Sequence, residues 1–315
     1  MRTVGLLVAA GLSLVSASVW PVRDAHADSS KAWTAAKAGL PADAKLVIGV
    51  DFAAIQKTQL FATYYPKLRD KPEVAKVLDS MKSTCKLDPL TTVQGVVVAM
   101  TDDQSEGAVY LAITGADRAK LSSCLQTAGQ QANKGAKVSI TQDGAITTLT
   151  ENNDTSFFGW IGKDVVVVAT KAKDKASLVK WMGGKGELGK TELGKTLAKV
   201  NTGAALWGAG EHSKELQPGI TAKGGYGSVT FSGGNLAADI HGVMASADQA
   251  TTMAGTANKQ LIDAKASGSL PAPMVGLLKS VTVTPAKDEI VVKANVIEKD
   301  LMVVLAMAMG GAGAP

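Results

Sequence analysis

Apolar and polar positions divide this chain into short strands and helices of similar length. LVIGVDF at 46–52 is a strand pattern opened by Leu40-Pro41, with a helical lead-in at 28–40. Helical spacing follows at about 53–69 and 73–86. Apolar runs at 93–100 and 108–114 flank the polar turn TDDQSEG, which predicts a hairpin. Asp117 starts a helix to about 131, and strands at 137–142 and 145–151 meet around Asp143-Gly144, a strong hairpin signal. A further strand pair turns at Gly162-Lys163, and a helix covers about 174–182.

After a Gly- and Lys-rich stretch the pattern starts again. A strand at 203–209, a hairpin at 227–232 and 235–243, and a helix from Asp248 to about 265 lead to a hairpin at 280–285 and 288–297 and a last helix at 299–309. Hairpins separated by helices predict an α+β fold: antiparallel sheets with helices packed on one face. Ala116-Asp117 and Ala247-Asp248 each follow a hairpin and open a helix, with Asp as the expected N-cap. The echo predicts two related halves. The organisation is then a signal peptide at 1–27, a first half at 28–182, a connector at 183–199, a second half at 200–309 and a flexible tail at 310–315.

The first 27 residues change the picture most. Arg2, the apolar run Val4 to Val19 and the small-x-small site Ala25-His26-Ala27 have the layout of a secretory signal peptide. The run is short for a membrane span, which needs roughly 20 residues, although a retained N-terminal anchor is the competing reading. Cleavage after Ala27 predicts a periplasmic or extracellular protein with no transmembrane span in the mature chain. In that compartment the isolated pair Cys85 and Cys124 is expected to form a disulfide stapling two helices.

Composition narrows the partners. The whole chain has a net charge of +5 and 4% aromatic residues. After cleavage only Arg69 and Arg118 remain among the arginines. Few arginines and few stacking aromatics argue against nucleic-acid recognition. Residues 163–199 hold nine lysines against four acids, so Lys185, Lys190, Lys195 and Lys199 form a possible anion-contacting surface. The final helix, with LMVVLAMAM, is apolar all round and is expected to be buried; a soft Met-rich binding surface is the alternative.

Several motifs tempt and fail. Gly184 to Thr191 and Gly189 to Thr196 both fit the phosphate-binding pattern G-x-x-x-x-G-K-[ST]. A working loop follows a buried strand, however, and here KASLVKWM is helical. The match arises from the echo ELGKTELGKT and is expected in an exposed turn or helix. Ser83-Thr84-Cys85-Lys86 and Ser177-Leu178-Val179-Lys180 fit S-x-x-K without the partner motifs of penicillin-recognising enzymes. His241 lies two residues from Asp239 on one strand face, a pair able to bind a cation or relay a proton, and Glu211-His212 lies near Glu215. A polar strand edge accounts for both, so no catalytic, cofactor-binding or metal-ligating set is assigned.

The opening LPADAKLVIGVDF, followed by a helix and hairpin-helix units, resembles a family of exported bacterial proteins of unknown function. The resemblance implies no activity and no catalytic residues. The expectation is an exported, non-enzymatic binding or envelope-associated protein needing no cofactor. Its partner is an unknown protein, envelope component or small ligand; the alternatives are a carrier of an apolar molecule or a hydrolase with a dispersed site.

Overall fold

A computed structural model describes residues 29–102, 104–132, 137–171, 173–268 and 270–308. The expected signal peptide at 1–27 and the expected tail at 310–315 therefore lie outside the described residues. In chain order the elements are α1 (Ser29–Gly39), β1 (Leu46–Asp51), α2 (Phe52–Ile55), α3 (Gln59–Arg69), α4 (Pro72–Cys85) and α5 (Pro89–Thr92). Next come β2 (Val93–Met100), β3 (Gly107–Ile113), α6 (Arg118–Ala132), β4 (Val138–Asp143), β5 (Ile146–Glu151), β6 (Asp154–Ile161) and β7 (Val165–Ala169). The chain continues through α7 (Lys175–Met182), a 3₁₀ turn (Glu187–Lys190) and α8 (Glu192–Leu197). It ends with β8 (Leu206–Gln217), β9 (Ile220–Ser232), β10 (Asn235–Met244), α9 (Ala247–Ala266), α10 (Ala272–Lys279), β11 (Thr282–Ala286), β12 (Glu289–Ile297) and α11 (Glu298–Ala308).

All twelve strands form one sheet, in the order β11-β12-β10-β9-β8-β1-β2-β3-β7-β6-β5-β4. Every ladder is antiparallel, as expected for an α+β fold built from hairpins. Strand adjacency is similar at the two ends. β1-β2-β3 is a meander interrupted by α2–α5 between β1 and β2, and β7 pairs with β3 after α6 and β4–β6; β8-β9-β10 is a meander with tight turns, and β12 pairs with β10 after α9, α10 and β11. The two meanders join through β1 and β8, with Val47 opposite Ala209 and Gly49 opposite Trp207. The expected equivalence of Asp117 and Asp248 is off by two residues. Asp117 caps α6 by accepting from Lys120 N at 2.7 Å, but Ser246, not Asp248, caps α9.

Helices were expected on one face; they cover both. Register separates the two sides. Val47, Val97, Tyr110, Val167 and Trp207 share the first face and pack under α1, α7 and α8 through Ala36, Leu40, Leu178, Trp181 and Leu193. Ile113, Phe158, Trp160 and Val166 lie on the second face against Leu121 and Leu125 of α6. Further along that face, Leu236, Ala238, Ala294 and Val296 pack against Leu60, Leu277 and Leu301 of α3, α10 and α11. The cause is legible in β7, where Val165, Val166 and Val167 are consecutive and all buried. A strand apolar on both sides needs cover on both sides.

The stretch 183–199, expected as a Lys- and Gly-rich connector, packs into the core. Leu188, Leu193 and Leu197 are buried in the main core. Gly184 N donates to Gly39 O at 2.8 Å and Gly186 N to Ala38 O at 2.9 Å, so this stretch closes the C-terminal end of α1. A Cβ on Gly184 would collide with the carbonyl oxygens of Gly39 and Leu40, which is why glycine stands there. The double G-K-T sequence therefore follows a helix, with its leucines inward and Lys185, Lys190 and Lys195 exposed. The N–H groups of Gly184, Gly186, Glu187, Gly189 and Thr191 already donate to carbonyls within the protein.

Candidate functional site

Three places merit consideration: an apolar helical layer, a polar cluster on the sheet, and an ion-paired depression at the strand ends.

The layer is made by α3, α10 and α11 on the second face. Thr58 caps α3 by accepting from Phe61 N at 3.0 Å. The carboxylate of Glu298, itself only 3% exposed, accepts from Leu60 N at 2.5 Å and so ties α3 to the start of α11. Tyr64 OH donates to Met302 O at 3.2 Å. Leu60, Leu277 and Leu301 point into the sheet core. The remaining apolar side chains are only partly covered. Neither α3 nor α10 has a buried residue, and none of Leu301 to Met307 in α11 is buried, with Met307 44% exposed. The last helix is thus not the buried core helix expected from its composition. α11 packs against α10 and α3 and meets the sheet through Leu301, so Leu301 to Ala306 are half-buried and Met307 is exposed. Phe61 and Tyr65 stack at 4.8 Å, adding an aromatic pair to the layer. Lys67 and Arg69 close α3, Lys279 closes α10 and Lys299 opens α11, which gives the apolar surface a polar rim.

The polar cluster lies on the first face of β9, β10 and β12. Tyr226 and His241 stack with ring centroids 4.4 Å apart. His241 Nδ1 is 2.8 Å from Glu289 Oε2, and its Nε2 is 3.1 Å from Asp239 Oδ1, at ion-pair distance but without hydrogen-bond alignment. Tyr226 OH donates to Glu289 at 2.8 Å, and Lys199 Nζ reaches the other Glu289 oxygen at 2.8 Å. Burial works to raise the Glu289 carboxyl, but the bonds from Lys199, Tyr226 and His241 outweigh it and hold the group at about 2. Burial, and then the neighbouring Glu289, push the Tyr226 phenol above its ordinary value. The sequence had offered Asp239 and His241; Glu289, Lys199 and Tyr226 come to them through strand pairing that spacing alone does not show. Among the described residues no group of three or more His, Cys, Asp or Glu is arranged to hold a metal ion.

The depression, of about 400 Å³, is open and lined by Asp43, Lys45, Asp102, Glu106 and Lys180. Lys180 bridges Asp43 at 2.7 Å and Glu106 at 2.9 Å, and Lys171 reaches Glu106 at 2.6 Å. The Glu106 carboxyl is lowered by Lys171 and Lys180. His212 Nδ1 meets Asp102 at 2.7 Å, with both side chains about three-fifths exposed, at 61% and 60%. Glu215 is not its partner; that carboxylate accepts from Gly219 N at 3.0 Å.

The four lysines proposed as an anion surface are divided. Lys195 pairs with Glu192 and Lys199 with Glu289, while Lys185 and Lys190 extend from the connector. Two of the four charges are therefore neutralised internally. Cys85 and Cys124 form the expected disulfide, with Cα atoms 4.7 Å apart, between α4 and α6. Among the described residues no helix is long and apolar enough to cross a membrane.

No protein-family model matches the chain, and no curated protein does. Structures of TP0453 in crystal forms III, I and IV align with it at 9%, 8% and 10% sequence identity. The alignments cover 87%, 87% and 86% of this chain and 97%, 96% and 96% of theirs, with TM-scores of 0.47, 0.45 and 0.48. A likeness of that degree carries no functional assignment.

Proposed function

We propose that this is an exported, non-enzymatic interaction protein of the bacterial envelope, and that the layer of α3, α10 and α11 docks the apolar face of a partner protein. The observation that carries the reading is that no residue from Leu301 to Met307 is buried although all are apolar. An apolar centre with aromatic and methionine side chains and a charged rim has the anatomy of a protein interface. Met274, Met302 and Met307 add side chains that adapt to an irregular partner surface. The depression at the strand ends is open and lined mostly by charged groups, which favours a protein surface over a carried apolar molecule. Export rests on the sequence of residues 1–27 and on the disulfide, which suits an oxidising compartment. The similar strand adjacency at the two ends supports descent of the two halves from one duplicated unit.

The test is the size of the native, mature protein by light scattering after mild extraction. A stoichiometric hetero-complex that Val303→Asp abolishes, while Asp239→Ala keeps it, supports the reading. A free monomer after in-cell crosslinking, or a complex indifferent to Val303→Asp, contradicts it.

A further inference from the structure

We propose that the Cys85–Cys124 disulfide is a redox latch holding the α3–α4 segment in place, and thereby sets the shape of the α3 part of the docking layer. Only its consequence for docking rests on the function proposed above; the opening of the segment does not.

Few buried apolar contacts hold α4 among its described residues. Among its described side chains Cys85, at 6% exposure, is the buried one, and Val74, Leu78 and Met81 are half-buried. Its main contacts are with α3, α5 and α6 rather than with the strands. It lies outside α6, which in turn is fixed to the sheet: Arg118 donates to Gly144 O at 2.6 Å and Ile146 O at 2.8 Å, and Leu121 and Leu125 pack on the second face. The apolar contact under α4 is the small cluster of Cys85, Leu87 and Cys124. Beyond it, Thr84 Oγ1 bonds Gln131 Oε1 at 2.7 Å on an exposed surface. Segments with few buried apolar contacts open first.

The disulfide sits where opening begins. Cys85 is the last residue of α4, and Lys86 follows in the left-handed conformation, φ 52°. Fraying of that terminal turn uncovers the bond while the rest of the helix stays formed. Cys124, in the middle of α6, stays anchored. The reductant is a dithiol. Its thiolate attacks one sulfur and breaks the Cys85–Cys124 bond, forming a mixed disulfide; its second thiolate displaces the protein sulfur. Two electrons and two protons pass from the dithiol, which leaves as a disulfide, and two cysteine thiols remain. α4 then keeps no covalent tie to the body except its chain neighbours. α3, joined to it across Asp70-Lys71, loses its outer support.

Hydrogen exchange followed by mass spectrometry tests the latch on the intact mature protein, before and after treatment with dithiothreitol, with thiol alkylation reporting complete reduction. Reduction is expected to speed exchange in residues 73–85 by about tenfold or more while amides of β1, β2 and β3 change less than about twofold. Unchanged protection at 73–85 after full reduction overturns the proposal. So does loss of protection through the whole sheet, or failure of dithiothreitol to reduce the native protein. Cys124→Ser, where it folds, must reproduce the dithiol result without reagent. Whether the complex survives is read separately with Val303→Asp, so the latch and the docking face can fail independently.

Discussion

Gly49→Ala is the most informative single change for the fold, because it strikes the seam between the two meanders. Gly49 lies opposite Trp207 across the β1–β8 ladder. A Cβ at that position would overlap the indole at Cε2, Cζ2 and Nε1. Trp207 is 2% exposed and packs edge-on against Trp33, with ring centroids 4.9 Å apart, so the ring has little room to shift. If the strands part slightly to admit the methyl, overpacking costs about 1–3 kcal/mol. If the indole is expelled, the loss approaches its burial, roughly 200 Å² at about 25 cal/mol per Å², or about 5 kcal/mol. The expected destabilisation lies between these, near 3 kcal/mol. Urea unfolding followed by circular dichroism measures it, with Trp207→Leu and the double variant completing a cycle. Trp207→Leu removes the obstacle, so the double variant should be more stable than the sum of the singles by about 1 kcal/mol or more. A Gly49→Ala cost below about 0.5 kcal/mol, or strict additivity, would refute the packing argument.

Three further outcomes are expected. Leu193→Ala, in the connector, should cost about 2–4 kcal/mol by urea unfolding, as for a core leucine; a cost near zero would contradict its place in the core. Glu298→Ala should cost about 1–3 kcal/mol by leaving Leu60 N unpaired at a partly buried helix start, with a smaller cost for Glu298→Gln. Glu289 has its carboxyl lowered from 4.5 to about 2, so its contribution is present above pH 4.5 and is lost as pH falls toward 2. The stability gap between wild type and Glu289→Gln, on the order of 2 kcal/mol at pH 6, should shrink steadily below pH 4.5; a gap independent of pH would be evidence against the cluster.

Local pattern announced most of the elements, and it did so where apolar periodicity and turn chemistry agree. Asp143-Gly144 turns β4 into β5, Asp117 caps α6, and the disulfide joins two helices recognised as helices. The reading was poorest where glycine replaces side chains. β8 and β9 continue as one long hairpin through Pro218-Gly219, but Gly208, Gly210, Gly224, Gly225 and Gly227 erase the alternation that marks a strand. The single sheet was hidden as well, since it depends on β1 pairing with β8 across more than a hundred residues. The polar cluster was half visible: Asp239 and His241 share a strand, whereas Glu289, Tyr226 and Lys199 arrive from other elements. The partial exposure of α11 could not be read from LMVVLAMAM, because an apolar helix has the same composition whether it is enclosed or only partly covered.

The most direct measurement for the function is site-specific photocrosslinking in the native envelope, with the probe placed at Met302 on α11 and, in a second protein, at Asp239 on the polar sheet face. The account predicts a single discrete protein adduct from position 302, none from 239, and loss of the adduct when Val303→Asp is added to a folded protein. Equal adducts from both positions, an adduct that survives Val303→Asp, or no protein adduct from position 302 would contradict it.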